Sequence, residues 1–170
     1  AGEVFDKVAR HLGLPYPGGP EISKASSKTN RSSYKFPRPM IKTSCYNFSF
    51  SGLKTHVTQL INKTEMSDLL ISDIAYDFEN AIIDVLITKT LKAAREYNVE
   101  NIVIAGGVSA NKKLRARCNA EKGEKKIFFP DIAYSTDNGA MIAYMGWLKS
   151  LKISINNSLE INPNPSSKFI

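Results

Sequence analysis

The run from Met66 to Tyr97 constrains the fold more than any other stretch of the chain. Leu70, Ile74, Phe78, Ile82 and Leu86 recur every fourth residue, and Ile71, Ala75 and Val85 widen that stripe. The spacing predicts a long core helix, continuous or broken in two, with Ser67 as its N-cap. A helix with so broad an apolar face must be covered by further elements. At 170 residues, 42% of them hydrophobic, the chain can supply such a cover without a disulfide or a structural metal.

The other elements follow from local pattern. Residues 3 to 13 read as a helix with Val4, Val8 and Leu12 on one face beside Phe5 and Ala9, closed by Gly13. Residues 14 to 20, with their prolines and the Gly18-Gly19 pair, read as a turn. Residues 23 to 35 are rich in Ser, Lys, Asn and Arg, which predicts a mobile surface excursion, with order resuming near Phe36-Pro37-Arg38-Pro39-Met40. Tyr46-Asn47-Phe48-Ser49-Phe50 alternates like a half-buried strand, and Ser51-Gly52 turns it into a helix from Leu53 to about Ile61.

Asn101-Ile102-Val103-Ile104-Ala105 predicts a buried parallel strand that ends in Gly106-Gly107-Val108 and feeds a helix capped by Ser109. Lys126-Ile127-Phe128-Phe129-Pro130 predicts a second strand, and Ser135-Thr136-Asp137-Asn138-Gly139 introduces a last helix bearing Met141, Ile142, Tyr144, Met145, Trp147 and Leu148. Strands alternating with helices indicate the α/β class. Asn, Ser and Pro accumulate from about Leu151, so the expected organisation is a domain over 1–150 and a weakly structured tail over 151–170.

Lys and Arg exceed the acids by 23 to 16, a net charge of +7 that suits a polyanionic partner or simply solubility. No run approaches the ~20 apolar residues of a membrane span, and the first residues lack the pattern of a signal peptide, so neither export nor a membrane is expected. Cys45 and Cys118, far apart and without CxxC spacing, indicate a reducing compartment. The chain starts at Ala1 inside an amphipathic pattern, as expected of a fragment or a processed domain.

Several residues could carry chemistry. Gly106 and Gly107 at the end of a parallel strand would let a nucleotide approach the backbone, and the Asn111 amide can both donate to and accept from a ribose or base; a tight strand-to-helix turn explains the same glycines. Asp137 at a helix start suits either a cap or a metal ligand. Asp6 is read either as a solvated partner of Lys7 or as an acceptor facing Gly18-Gly19. His11 and His56 are the two histidines, and no Ser-His-Asp order, paired catalytic carboxylates or Cys-His arrangement is present.

Six motifs occur together in one order: Gly2-Glu3-Val4-Phe5-Asp6-Lys7, Tyr16-Pro17-Gly18-Gly19-Pro20, Phe36-Pro37-Arg38-Pro39, Phe48-Ser49-Phe50-Ser51-Gly52-Leu53-Lys54-Thr55, Ala105-Gly106-Gly107-Val108-Ser109-Ala110-Asn111 and Ser135-Thr136-Asp137-Asn138-Gly139-Ala140-Met141. In this order the chain resembles the carboxyl-terminal part of the tRNA threonylcarbamoyladenosine transferase family, from Ala1 to about Trp147. The resemblance implies the carboxyl-terminal portion of an actin-like, ASKHA-type (ribonuclease H-like) fold. It also implies transfer of a threonylcarbamoyl group from threonylcarbamoyl-adenylate to N6 of the adenosine next to the anticodon, in tRNAs reading ANN codons.

By the same resemblance, Asp6, Gly19 and Asn111 bind the adenylate or ATP, Gly106 and Gly107 form the adenosine-side loop, and Asp137 ligates a divalent metal, iron or zinc. No residue is assigned as a covalent nucleophile. The family's two metal-binding histidines lie in an upstream HxxxH motif that neither His11 nor His56 replaces, so transfer is expected to be incomplete in this chain alone. The implied partners are tRNA, a paralogous ASKHA subunit and accessory proteins of the modification complex, in the cytoplasm or, alternatively, the mitochondrion. Two other functions stay open: an inactive nucleotide-binding interaction module, and the metal-dependent sialoglycoprotein peptidase of the family's older label. Lys24, Lys28, Arg31 and Lys35 lie in the polar run, which would touch tRNA phosphates or be a solvated loop.

Overall fold

The computed structural model describes residues 1–151 and divides the chain into two units, Ala1–Thr136 and Asp137–Ile170. The first unit opens with α1 (Gly2–His11), which buries Phe5, Val8 and Ala9 and is followed by Gly13 at φ +71°. That left-handed backbone favours glycine, and the expected helix end is where the sequence places it.

A second helix, α2 (Gly18–Ser26), begins inside the stretch read as a turn. Pro20 lies in its first turn, where backbone NH groups have no partner within the helix, so the proline costs no hydrogen bond there. A Cβ at Gly18 would stand 2.6 Å from the Asp6 Cα and 2.7 Å from the Ala9 Cβ. Only glycine lets α2 start this close to α1.

The polar run 23–35 is not a mobile excursion. Its first residues complete α2, with Ile22, Ala25 and Ser26 buried, and residues 29–34 form a strap along the long helix α4 (Asp68–Glu96). Thr29 and Ser33 donate their hydroxyls to the Asp73 carboxylate, and Arg31 pairs with the same group. The Ser32 hydroxyl and the Ser33 and Tyr34 amides donate to Asp77 at 2.7, 2.8 and 2.6 Å. Composition misleads here because the partners of these polar groups are carboxylates buried on another element.

Residues 46–50, expected as a half-buried strand, form no strand: Phe50 is buried, Phe48 is exposed, and the two rings stack with centroids 6.4 Å apart. The Tyr46 hydroxyl donates to Glu96, which pushes its pKa up to about 12. Helix α3 (Ser51–Ile61) follows as expected. Helix α4 is unbroken over 29 residues, and the Ser67 hydroxyl accepts from the Leu70 amide at 3.3 Å, the expected cap. Ile74, Ala75, Phe78, Ala81, Ile82 and Val85 of α4 share one core with residues of α1, α2 and α3, where the Phe5 and Phe78 rings meet edge to face at 5.4 Å.

Strands β1 (Asn101–Val103) and β2 (Lys126–Phe128) pair in parallel with Ile102 opposite Ile127, and α5 (Lys112–Glu121) lies between them in sequence. The expected parallel connection is present, although each strand is three residues long and the described part of the chain is mostly helical. Leu114 and Cys118 of α5 pack with Ile83 and Ile87 of α4 in a second, smaller core.

In the other unit, α6 (Gly139–Ser150) is capped by Asn138, whose side-chain oxygen accepts from the Met141 amide at 3.0 Å. The expected tail over 151–170 lies outside the described residues beyond Leu151. No helix among the described residues is long and apolar enough to cross a membrane.

Candidate nucleotide-binding site

The chain leaves β1 through Gly106, at φ +88°, and enters a short 3-10 turn over Gly107–Ala110. The expected cap, Ser109, is buried in this turn, and its hydroxyl has no hydrogen-bond partner. Asn111 caps α5 instead: its Oδ1 accepts from the Leu114 amide at 2.8 Å. The turn takes up two residues more than a direct strand-to-helix step, which moves the cap from Ser109 to Asn111. A Cβ at Gly106 would meet nothing within 4 Å, so the positive φ, not space, favours glycine there.

The entrance of α2 is built differently. Asp6 Oδ1 accepts from the Gly18 amide at 2.8 Å, satisfying one of the free NH groups of that helix. Lys7 pairs with Glu3 rather than with Asp6, so the reading of Asp6 as a partner of Lys7 is replaced by the one in which it faces Gly18-Gly19. Gly19 has open space around its Cα. Asp6 and Gly18 belong to the wall of an open cleft of about 440 Å³ with Glu3, Lys7, Arg10 and Tyr16.

Glu79, which sequence reasoning missed, joins the two entrances. It is 2% exposed, and its carboxylate accepts from the Ser23 and Ser26 hydroxyls of α2, both at 2.6 Å, and from Asn111 Nδ2 at 2.7 Å. Lys113 Nζ stands 3.5 Å from its other oxygen and 3.9 Å from the Tyr76 ring centre. Burial lowers the Lys113 pKa, and Glu79 opposes that shift. The signal was present in the sequence, since Glu79 sits four residues from both Ala75 and Ile83, two buried positions of the same helix.

Asp6, Gly19 and Asn111 are therefore linked through α2 and Glu79, and Asn111 lies four residues after Gly107 in the chain. Asp137 belongs to the second unit and is exposed. His11 is exposed on α1, and His56 on α3 meets the Phe36 ring edge to face at 5.9 Å. Among the described residues no group of three or more His, Cys, Asp and Glu side chains is placed to hold a metal ion. These residues by themselves do not fit an iron or zinc centre.

Fold and site together define a mostly helical protein with a small parallel sheet and glycine-bearing turns at two helix entrances joined by one buried carboxylate. The sequence profile of TsaD, tRNA N6-adenosine threonylcarbamoyltransferase, matches residues 1–144, and the chain belongs to that family. It is 48% identical over 167 residues to a tRNA N6-adenosine threonylcarbamoyltransferase of Thermosipho africanus, covering 96% of this chain and 51% of the relative. Its identity to the Buchnera aphidicola (subsp. Acyrthosiphon pisum) protein of the same name is 49%, covering 97% of this chain and 50% of that one. A Thermotoga neapolitana relative, also so named, is 43% identical over 98% of this chain and 50% of its own length. The chain spans about half the length of the curated relatives it matches.

Proposed function

We propose that this chain forms the carboxyl-terminal part, over residues 1–150, of an actin-like, ASKHA-type enzyme that transfers a threonylcarbamoyl group to tRNA. The family match along residues 1–144 carries the reading. In the reaction, the N6 amine of the adenosine next to the anticodon attacks the carbamoyl carbon of threonylcarbamoyl-adenylate. A C–N bond forms, the C–O bond to the AMP phosphate breaks, AMP leaves, and N6 gives up a proton.

The residues of this chain bind and orient the adenylate. Asp6 and Gly19 at the entrance of α2, and Asn111 at the entrance of α5, hold it, while Gly106 and Gly107 admit the adenosine against the backbone. Free NH groups and the positive end of a helix favour anionic oxygens at such entrances. Holding the anhydride and the amine in register is itself a large part of the rate enhancement for a reaction of this kind. Asp137 would be one ligand of a divalent iron or zinc ion whose other ligands are not gathered among the described residues, and no step is assigned to that ion. The net charge of +7 supports tRNA as partner, with a paralogous subunit and accessory proteins completing a cytoplasmic complex.

Titration calorimetry with ATP, and with threonylcarbamoyl-adenylate, tests the site without requiring turnover. The folded chain is expected to bind both, and Asn111→Ala to weaken each by about tenfold or more, the loss of one strong hydrogen bond. A folded chain that binds neither overturns the assignment.

A further inference from the structure

Asn111 carries two polar ends that differ in kind, and a turn about its terminal bond would exchange them. The structure holds one orientation: Oδ1 receives the Leu114 amide at 2.8 Å, while Nδ2 points at Glu79 Oε1 at 2.7 Å and Ser23 Oγ at 3.0 Å. A flipped amide would set NH2 against the Leu114 NH and oxygen against the carboxylate, two mismatches at once. Glu79 is also the acceptor to which Ser23 and Ser26 tie α2, the helix whose first turn bears Gly18 and Gly19.

We infer that Glu79 is a positioning residue for the nucleotide. From inside the core it locks the Asn111 amide in one orientation and holds the Gly18-Gly19 entrance in register with it. The inference rests on the assignment of Asn111 to the adenylate ligand. Glu79 itself is buried and acts on the ligand site through Asn111 and α2, so a stable fold and a competent site become separable properties.

Glu79→Gln keeps the size of the side chain but replaces one acceptor oxygen with a donor. In one orientation that donor faces Asn111 Nδ2, and in the other it faces Lys113, so no arrangement satisfies all partners. Ser23→Ala is the milder change, removing a hydroxyl that touches both Glu79 and Asn111. Asp73→Asn is the matched control: it lies buried on the same helix and serves the strap at residues 29–34, not the entrances.

The experiment pairs two readouts on the full chain, the side-chain amide NMR resonances of Asn111 and ATP affinity by calorimetry. Glu79→Gln is expected to shift the Asn111 amide pair, speed its exchange with water and weaken ATP by about tenfold or more, as the loss of a bond to a charged group would. Ser23→Ala should act in the same direction by a smaller factor, and it carries the test if Glu79→Gln does not fold. Asp73→Asn should lower stability while leaving the Asn111 resonances and ATP affinity within about twofold of the wild type, since separated sites act independently. A released Asn111 amide with unchanged ATP affinity in a folded variant overturns the positioning role alone. Failure of the folded wild-type chain to bind ATP overturns the ligand assignment, and the positioning role falls with it.

Discussion

The two halves of α4 meet their neighbours in different ways. The amino-terminal half is packed by helices: Ile74, Phe78 and Ile82 are wholly buried among α1, α2 and α3, and the polar strap of residues 29–34 lies on Asp73 and Asp77. The carboxyl-terminal half supports the small sheet. There, among the described residues, Ile83 and Ile87 share their buried cluster with Leu114 and Cys118, and the strands leave Val103 74% and Phe128 51% exposed. Buried charge is satisfied in both halves, since Lys89, 2% exposed, donates to the Met40 carbonyl at 2.9 Å and the Thr43 hydroxyl at 3.1 Å. The difference teaches that the apolar stripe of a helix sets where burial is available, while the partner layer sets how complete it becomes.

That comparison can be broken most directly in the larger core. Phe78→Ala removes a fully buried ring that meets Phe5 edge to face, and a loss of about 3–5 kcal/mol in urea unfolding is expected. Cys118→Ala in the smaller core should cost distinctly less; equal losses would show that the two halves are one cooperative core.

A smaller effect, and one that depends on pH, belongs to the strap. The Asp73 carboxyl is held below its usual range chiefly by its hydrogen bond to Arg31, with Ser33 and Thr29 adding to the effect and burial opposing it. Its folded-state pKa therefore lies below the unfolded one, so the unfolded chain takes up the proton first as pH falls. The stabilisation is complete above the unfolded value of about 4 and is lost as pH falls through the depressed folded value. Asp73→Asn should accordingly be less stable than the wild type at neutral pH, with cleavage by protease appearing within residues 27–35, and the gap should narrow below about pH 4. A gap that stays constant down to strong acid would mean that the strap does not depend on the Asp73 charge.

The smallest effect is expected at the sheet. Val103→Thr, on a residue largely open to solvent, should change stability by no more than about 0.5 kcal/mol. A larger loss would show that the exposed face of β1 is covered in solution.

Much of the fold is legible in the sequence. The α4 stripe and its Ser67 cap, the glycine after α1, α3, and the parallel pair with its intervening helix all follow from patterns that act over a few residues. Three features were not legible in the same way. Helix α2 was hidden by its prolines and glycines, because its entrance is held by Asp6 of another helix. The strap looked mobile because its partners, Asp73 and Asp77, lie some 40 residues further along the chain. Glu79 drew no reading, because its place on α4 does not say which donors the fold brings to it.

The candidate site divides along the same line. Asp6, Gly19, Gly106, Gly107, Asn111 and Asp137 were marked by local residue chemistry and by the order of short motifs, both of which are properties of local sequence. The link from Asp6 through α2 to Glu79 and Asn111 required the third dimension. By itself the sequence determined the family, the positions of most helices and the strand pair, because periodicity, caps and motifs are local properties. Only the tertiary structure decided which polar groups are buried and what they hold. A buried carboxylate must find its donors wherever the fold brings them, and for Glu79 they come from residues 23, 26 and 111.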